Sequence, residues 1–116
     1  MSPAKPSNRL AVLRGTLDIF ILRAVSGRAL HGFEITVWLE EQTKGALDVD
    51  DSALYQALHR LEARGYIEGD WGVSEKNRRA RYYAITRSGR QHLAAETSRL
   101  MSYANTITAL LSPRKS

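Results

Sequence analysis

The chain has no cysteine among its 116 residues. A disulfide framework, a cysteine-ligated zinc site and thiol catalysis are therefore excluded. Long apolar runs are missing too. Ile19-Phe20-Ile21-Leu22 stops at Arg23, far short of the roughly 18 residues that a membrane span needs. The opening Met-Ser-Pro-Ala-Lys-Pro-Ser-Asn-Arg holds no apolar segment of the kind a secretory signal requires. No G-x-S-x-G elbow, P-loop or G-x-G-x-x-G turn occurs. His31, His59 and His92 stand far apart, with no His-x-x-x-His pair. The adjacent carboxylates Glu40 and Glu41, and Asp50 and Asp51, do not face each other on a helix, so no paired acid/base site forms from them. The expectation is a cytoplasmic protein that is not an enzyme and holds neither metal nor cofactor. Residues 9–111 contain no repeat, low-complexity run or obvious linker.

What is present is ordinary in amount but uneven in placement. Apolar residues make up 43%, charged residues 25%, and the net charge is +5. These values fit one globular domain with a modest core. From Glu34 to Asp51 there are six acids against one lysine; from Ser52 to Arg90 there are eight Lys/Arg against four acids. Positive charge therefore gathers in the middle of the chain, where a polyanionic partner would be met.

Asp51 to Gly65 is the stretch around which the rest is organised. Leu54, Ala57, Leu58 and Leu61 recur at spacings of three and four and predict one apolar helix face. Ser52, Tyr55, Gln56, His59 and Arg60 fall off that stripe and are hydrogen-bonding residues suited to base edges and phosphates. Asp50 or Asp51 is placed to cap the start and Gly65 to stop the end.

Around it the pattern predicts further elements. Residues 1–9 read as a disordered arm. Helix 1 is expected from Leu10 to about Ser26, with Gly15 able to interrupt its first turns and leave Thr16 as a second cap. Its stripe is Leu10, Leu13, Leu17, Phe20 or Ile21, and Ala24. Val12, Ile19 and Leu22 lie outside the stripe, so the helix asks to be buried on more than one side. The Gly27–Gly32 stretch is a connection. Helix 2 is expected from about Phe33 to Thr43, with Ile35, Trp38 and Leu39 inward and Glu34, Glu40 and Glu41 facing water. Ala46–Val49 reads as a short strand or extended turn.

Tyr66–Gly72 and Arg81–Thr86 read as strands joined by a basic loop holding Lys76, Arg78 and Arg79, with Arg81 at its end. Thr86 is placed to cap a last helix over Arg87–Leu111. Its Leu93, Thr97, Leu100, Ala104, Ile107 and Leu111 follow coiled-coil seam spacing. Twenty-five residues span roughly 37 Å at 1.5 Å per residue, and such a helix would overhang so small a domain. A second copy of the chain is the simplest cover. The fold class expected is mainly α with a small β-hairpin: a winged helix-turn-helix over residues 10–86, a dimerisation helix over 87–111, and a disordered tail over 112–116.

Several blocks make the reading more specific. Leu13-Arg14-Gly15-Thr16-Leu17-Asp18, Leu30-His31-Gly32-Phe33-Glu34-Ile35, Ser52 through Glu62, Gly65-Tyr66-Ile67, and Arg79 through Gly89 resemble the PadR family of bacterial transcriptional regulators. The likeness covers about residues 10–93 and suits the smaller branch of the family, which has a short C-terminal region. It implies a homodimeric repressor that binds a palindromic operator. Ser52, Tyr55 and Arg60 match the family's helix 3 motif, and Gln56 stands where the family often has proline. The full set of candidate DNA contacts is Ser52, Tyr55, Gln56, His59, Arg60, Lys76, Arg78, Arg79 and Arg81. The expected dimer interface comprises Leu13, Leu17, Phe20, Ile21, Leu93, Leu100, Ala104, Ile107 and Leu111. Some relatives hold flat aromatic compounds between interface tryptophans. The last helix here has only Tyr103, so that mode is not expected, and any small-molecule effector belongs in or beside the dimer interface. The alternative function is a winged-helix protein-interaction module without an operator.

Overall fold

The computed structural model describes residues 10–13 and 15–113. The expected arm over residues 1–9, Arg14 and the end of the expected tail lie outside the described residues. In chain order the elements are β1 (Leu10–Ala11), α1 (Leu17–Val25), β2 (Leu30–His31), α2 (Gly32–Thr43), β3 (Leu47–Asp48), α3 (Asp51–Ala63), β4 (Ile67–Val73), β5 (Arg79–Ile85) and α4 (Arg87–Leu111). This is a winged helix-turn-helix followed by a long C-terminal helix.

The first helix starts seven residues later than the apolar spacing suggests. Gly15 takes φ 88°, a left-handed turn that a helix cannot contain. Thr16 then occupies the N-cap position without a side-chain cap; its hydroxyl donates instead to the Leu13 carbonyl, at 2.7 Å. Leu10 and Leu13 are therefore not on a helix. Leu10 pairs in parallel with Leu47, joining β1 to β3.

The core forms where the three short helices meet the sheet. Ile21, Leu22 and Val25 of α1 pack with Ile35 and Leu39 of α2, Leu54, Leu58 and Leu61 of α3, Ile67 of β4 and Tyr83 of β5. Helix α1 contacts α2, α3, α4 and β5. That corrects the expected interface: Ile21 is 0% exposed inside its own chain and is unavailable to a second copy. Ile19 and Leu22 are likewise buried, so the sides of α1 that carry them find cover within the chain. Leu17, Phe20 and Leu93 are half-buried against the same core, as is Trp38.

Helix α2 opens at Gly32, one residue before the expected Phe33, and Phe33 points outward. His31 caps it reciprocally with Glu34. The Glu34 amide donates to His31 Nδ1 at 3.2 Å, and the His31 amide donates to Glu34 Oε1 at 3.1 Å. Glu34 is thus half-buried in a capping box rather than free in water. Lys44, at φ 54°, ends the helix in the left-handed region.

The connection before α2 holds an unforeseen strand. Leu30 and His31 pair antiparallel with Tyr83 and Tyr82, so the three-stranded sheet runs β2-β5-β4. The β4–β5 hairpin pairs Ile67 with Ile85 through to Val73 with Arg79. Strand β5 therefore begins two residues before the expected Arg81, and the loop shrinks to Ser74–Arg78. The Ser74 amide donates to the Arg78 carbonyl at 2.8 Å, and Asn77 turns the chain at φ 59°.

Helix α4 has the expected limits, with Thr86 accepting from the Gly89 amide at 3.0 Å. It packs on α1 near its start and then leaves the domain, giving the molecule extents of 60 × 41 × 21 Å. Its C-terminal half exposes Met101, Tyr103, Leu110 and Leu111.

Candidate nucleic-acid interface

Helix α3 separates its two chemistries cleanly. Asp50 accepts from the Ala53 amide at 3.0 Å and fixes the start of the helix. Leu54, Ala57, Leu58 and Leu61 are buried, which anchors the helix along its length. Ser52, Tyr55, Gln56, His59 and Arg60 are all exposed. Their spacings of three, one, three and one place them in a single stripe along the outer face. A helix carrying hydrogen-bonding side chains in one uncovered stripe has the dimensions and chemistry to enter the major groove of duplex DNA.

Two members of the candidate set already have carboxylate partners. Arg60 Nη2 donates to Asp18 Oδ1 of α1 at 2.6 Å. Arg81 donates to the Glu62 carboxylate of α3. This hydrogen bond raises the Arg81 guanidinium further above its ordinary range. Tyr55 remains exposed but lies across Gly32 at the start of α2, where the missing side chain makes room for its ring.

The wing presents the remaining cations. Lys76, Arg78 and Arg79 are exposed at and beside the turn. Arg79 stacks over the Trp71 ring, 4.4 Å from its centroid. Sequence reasoning does not single out Trp71 for this role. It lies on the face that Ile67 buries, yet is 55% exposed because the hairpin extends beyond the core. Its place opposite Arg81 in the strand register is the available signal. Asp18 and Glu62 also escape the sequence pattern, because their arginine partners are distant along the chain.

An open cleft of about 1230 Å³ lies between the starts of α2 and α3 and the inner side of the wing. Phe33, Trp38, Tyr55 and Trp71 contribute aromatic surface to it, and Arg78 and Arg79 contribute charge. The three histidines serve separate ends: His31 caps α2, His59 lies on the exposed α3 stripe, and His92 stacks on Tyr66 with ring centroids 4.2 Å apart. Among the described residues no group of three or more His, Asp or Glu side chains is arranged to hold a metal ion. No described helix is long and apolar enough to cross a membrane.

The expected interface residues differ in how far they are exposed. Ile21 is in the core; Leu17, Phe20 and Leu93 line its margin; Leu13 and Leu111 are each 73% exposed. Leu100 and Ile107 are half-buried on α4, and Ala104 between them is exposed.

These features define a winged helix-turn-helix protein. The model of the PadR-like transcriptional regulator family matches residues 21–95, and the chain belongs to that family. An uncharacterised protein of Lysinibacillus sphaericus is 30% identical over 86 residues, 74% of this chain and 79% of that protein. A transcriptional regulator from Clostridium thermocellum superposes with a TM-score of 0.77 at 27% identity, covering 85% of this chain and 93% of the other. A PadR-like transcriptional regulator from Bacillus cereus gives 0.74 at 25% identity, over 88% and 97% of the two chains. The family is one of transcriptional regulators, and this member is not an enzyme.

Proposed function

We propose that the protein is a cytoplasmic, homodimeric repressor that binds a palindromic operator in duplex DNA. The observation that carries this reading is the uncovered stripe of Ser52, Tyr55, Gln56, His59 and Arg60 on α3, beside a wing bearing Lys76, Arg78 and Arg79. In this reading residues 10–86 form the DNA-binding unit. Helix α3 enters the major groove while the wing meets the flanking backbone. Residues 87–111 pair two copies, so that the α3 helices repeat about 34 Å apart, one turn of DNA. The exposed Met101, Tyr103, Leu110 and Leu111 of α4 support a second chain as cover. A small-molecule effector would bind in or beside that pairing surface.

The test is fluorescence anisotropy with genomic fragments, including the promoter of the protein's own gene, across a salt series. Specific binding to a fragment with inverted half-sites is expected. The Arg78→Ala/Arg79→Ala double variant should bind less tightly and lower the salt slope by roughly 0.9 for each phosphate that is no longer neutralised. A double variant matching the parent at every salt concentration would remove the wing from the interface. Folded protein that binds no genomic fragment at low salt would overturn the reading in favour of a protein-interaction module.

A further inference from the structure

Arg79 and Arg81 lie two residues apart on the same face of β5, yet they are held differently. Arg79 is exposed and stacks on Trp71. Arg81 turns inward to Glu62 on α3, with its side chain 33% exposed. Its guanidinium lies 5.8 Å from the Trp71 ring centroid and 6.0 Å from that of Tyr83. Gly69 of β4 completes the seat, since a Cβ there would overlap the Arg81 guanidinium. A carboxylate, two rings and a bare stretch of backbone thus flank this one side chain.

The location gives the seat its importance. Beyond Ile67 and Tyr83 the hairpin leaves the core, and Trp71 and Val73 are 55% and 66% exposed. A two-stranded hairpin is marginally stable by itself, so its direction depends on what it leans against. Arg81 bridges from Glu62 on α3 to the wing.

We infer that Arg81 is a positioning residue rather than a DNA contact: together with Glu62 and Gly69 it fixes the wing against α3, and so sets the groove geometry that the protein accepts. The inference rests on the DNA-binding reading above. A protein that touches one duplex with a helix and a hairpin reads the distance between them as well as the bases. DNA whose groove width must be altered to meet both elements binds more weakly, because the deformation costs free energy.

The two roles for Arg81 predict opposite results with Glu62→Gln. If Arg81 positions the wing, releasing it from Glu62 weakens binding roughly tenfold, as coupled neighbours do. If Arg81 contacts phosphate, removing its counter-ion strengthens binding. Anisotropy on the genomic fragment bound best by the parent protein would be measured for Glu62→Gln, Arg81→Gln, Arg79→Gln and the exchange Glu62→Arg/Arg81→Glu. Thermal melting would establish that each is folded. Expected are similar losses of affinity for Glu62→Gln and Arg81→Gln with the parent's salt slope, and a slope lower by about 0.9 for Arg79→Gln. The exchange restores the ion pair but not the ring contacts of the guanidinium, so it should bind more tightly than the two single losses combined would give, the mark of a coupled pair. Tighter binding by Glu62→Gln, or a reduced slope in Arg81→Gln, would overturn the inference. If the exchange variant does not fold, the Glu62→Gln result decides the matter alone. Failure of the parent to bind any fragment would instead overturn the DNA-binding reading.

Discussion

Arg60 on α3 is tied to Asp18 on α1 across 2.6 Å. The arginine that stands in the exposed stripe therefore carries its own counter-ion, and a phosphate would compete with that carboxylate for the guanidinium. Substituting Asp18→Asn should tighten binding to any duplex at low salt and steepen the salt dependence by up to about 0.9. The stability cost should stay below about 1 kcal/mol, since the arginine side chain is 48% exposed. Anisotropy over a salt series and thermal melting would check both. Unchanged affinity and slope would mean that Arg60 keeps Asp18 in the complex.

Tyr55, Gln56 and His59 project from α3 without a carboxylate partner among the described ion pairs. Alanine at Gln56 should cost about 1–3 kcal/mol of discrimination between operator and random duplex. The melting temperature should hold, because the side chain is exposed. Competition of operator against random DNA would measure the discrimination. Equal weakening on both DNAs would make Gln56 a backbone contact.

The seam on α4 and the core residue Ile21 should respond differently to substitution. Charged residues at Leu100 and Ile107 should yield folded monomers by sedimentation, or insoluble protein. A soluble, fully dimeric product would refute the seam. Ile21→Ala should instead lower stability by about 2–5 kcal/mol, because Ile21 is 0% exposed within one chain. Denaturant titration would report that change.

Gly89 fixes how closely α4 approaches the turn between α3 and β4. A methyl group there would overlap the Tyr66 carbonyl oxygen and crowd Ile85. Gly89→Ala should destabilise the protein by about 1–3 kcal/mol despite the better helix propensity of alanine. A melting temperature equal to or above the parent's would show that the joint yields.

Tyr83 should contribute to a loss of stability at alkaline pH. Burial raises its hydroxyl above the ordinary 10.0, although the Arg81 charge opposes the shift. A raised value means that the folded state keeps this proton while the unfolded chain has already released it. The contribution is complete below pH 10.0 and declines as the pH rises toward and through the folded-state value. Tyr83→Phe should lessen the fall in stability above pH 10.0, measured by denaturant titration. An identical pH profile in the variant would assign that fall to other groups.

Local chemistry is legible in the chain. Asp50 ahead of a three-and-four apolar spacing defines α3, and Thr86 ahead of Arg87–Leu111 defines α4. Both signals lie within a few residues of the elements they set, and caps act through neighbouring backbone amides. Alternation and the basic run locate the hairpin, though its second strand starts at Arg79. The apolar spacing at Leu10, Leu13 and Leu17 misleads, because one left-handed glycine overrides the periodicity of the residues around it.

By itself, the sequence determined that α3 has an apolar face and a hydrogen-bonding face, that a basic hairpin follows it, and that a long seamed helix ends the fold. Only the tertiary structure decided which of those side chains remain available. Arg60 meets an acid 42 positions away and Arg81 one 19 positions away. Ile21 is enclosed by elements from α2 to β5. Such pairings depend on how separate elements pack, and periodicity along one helix carries no record of the neighbour that covers it.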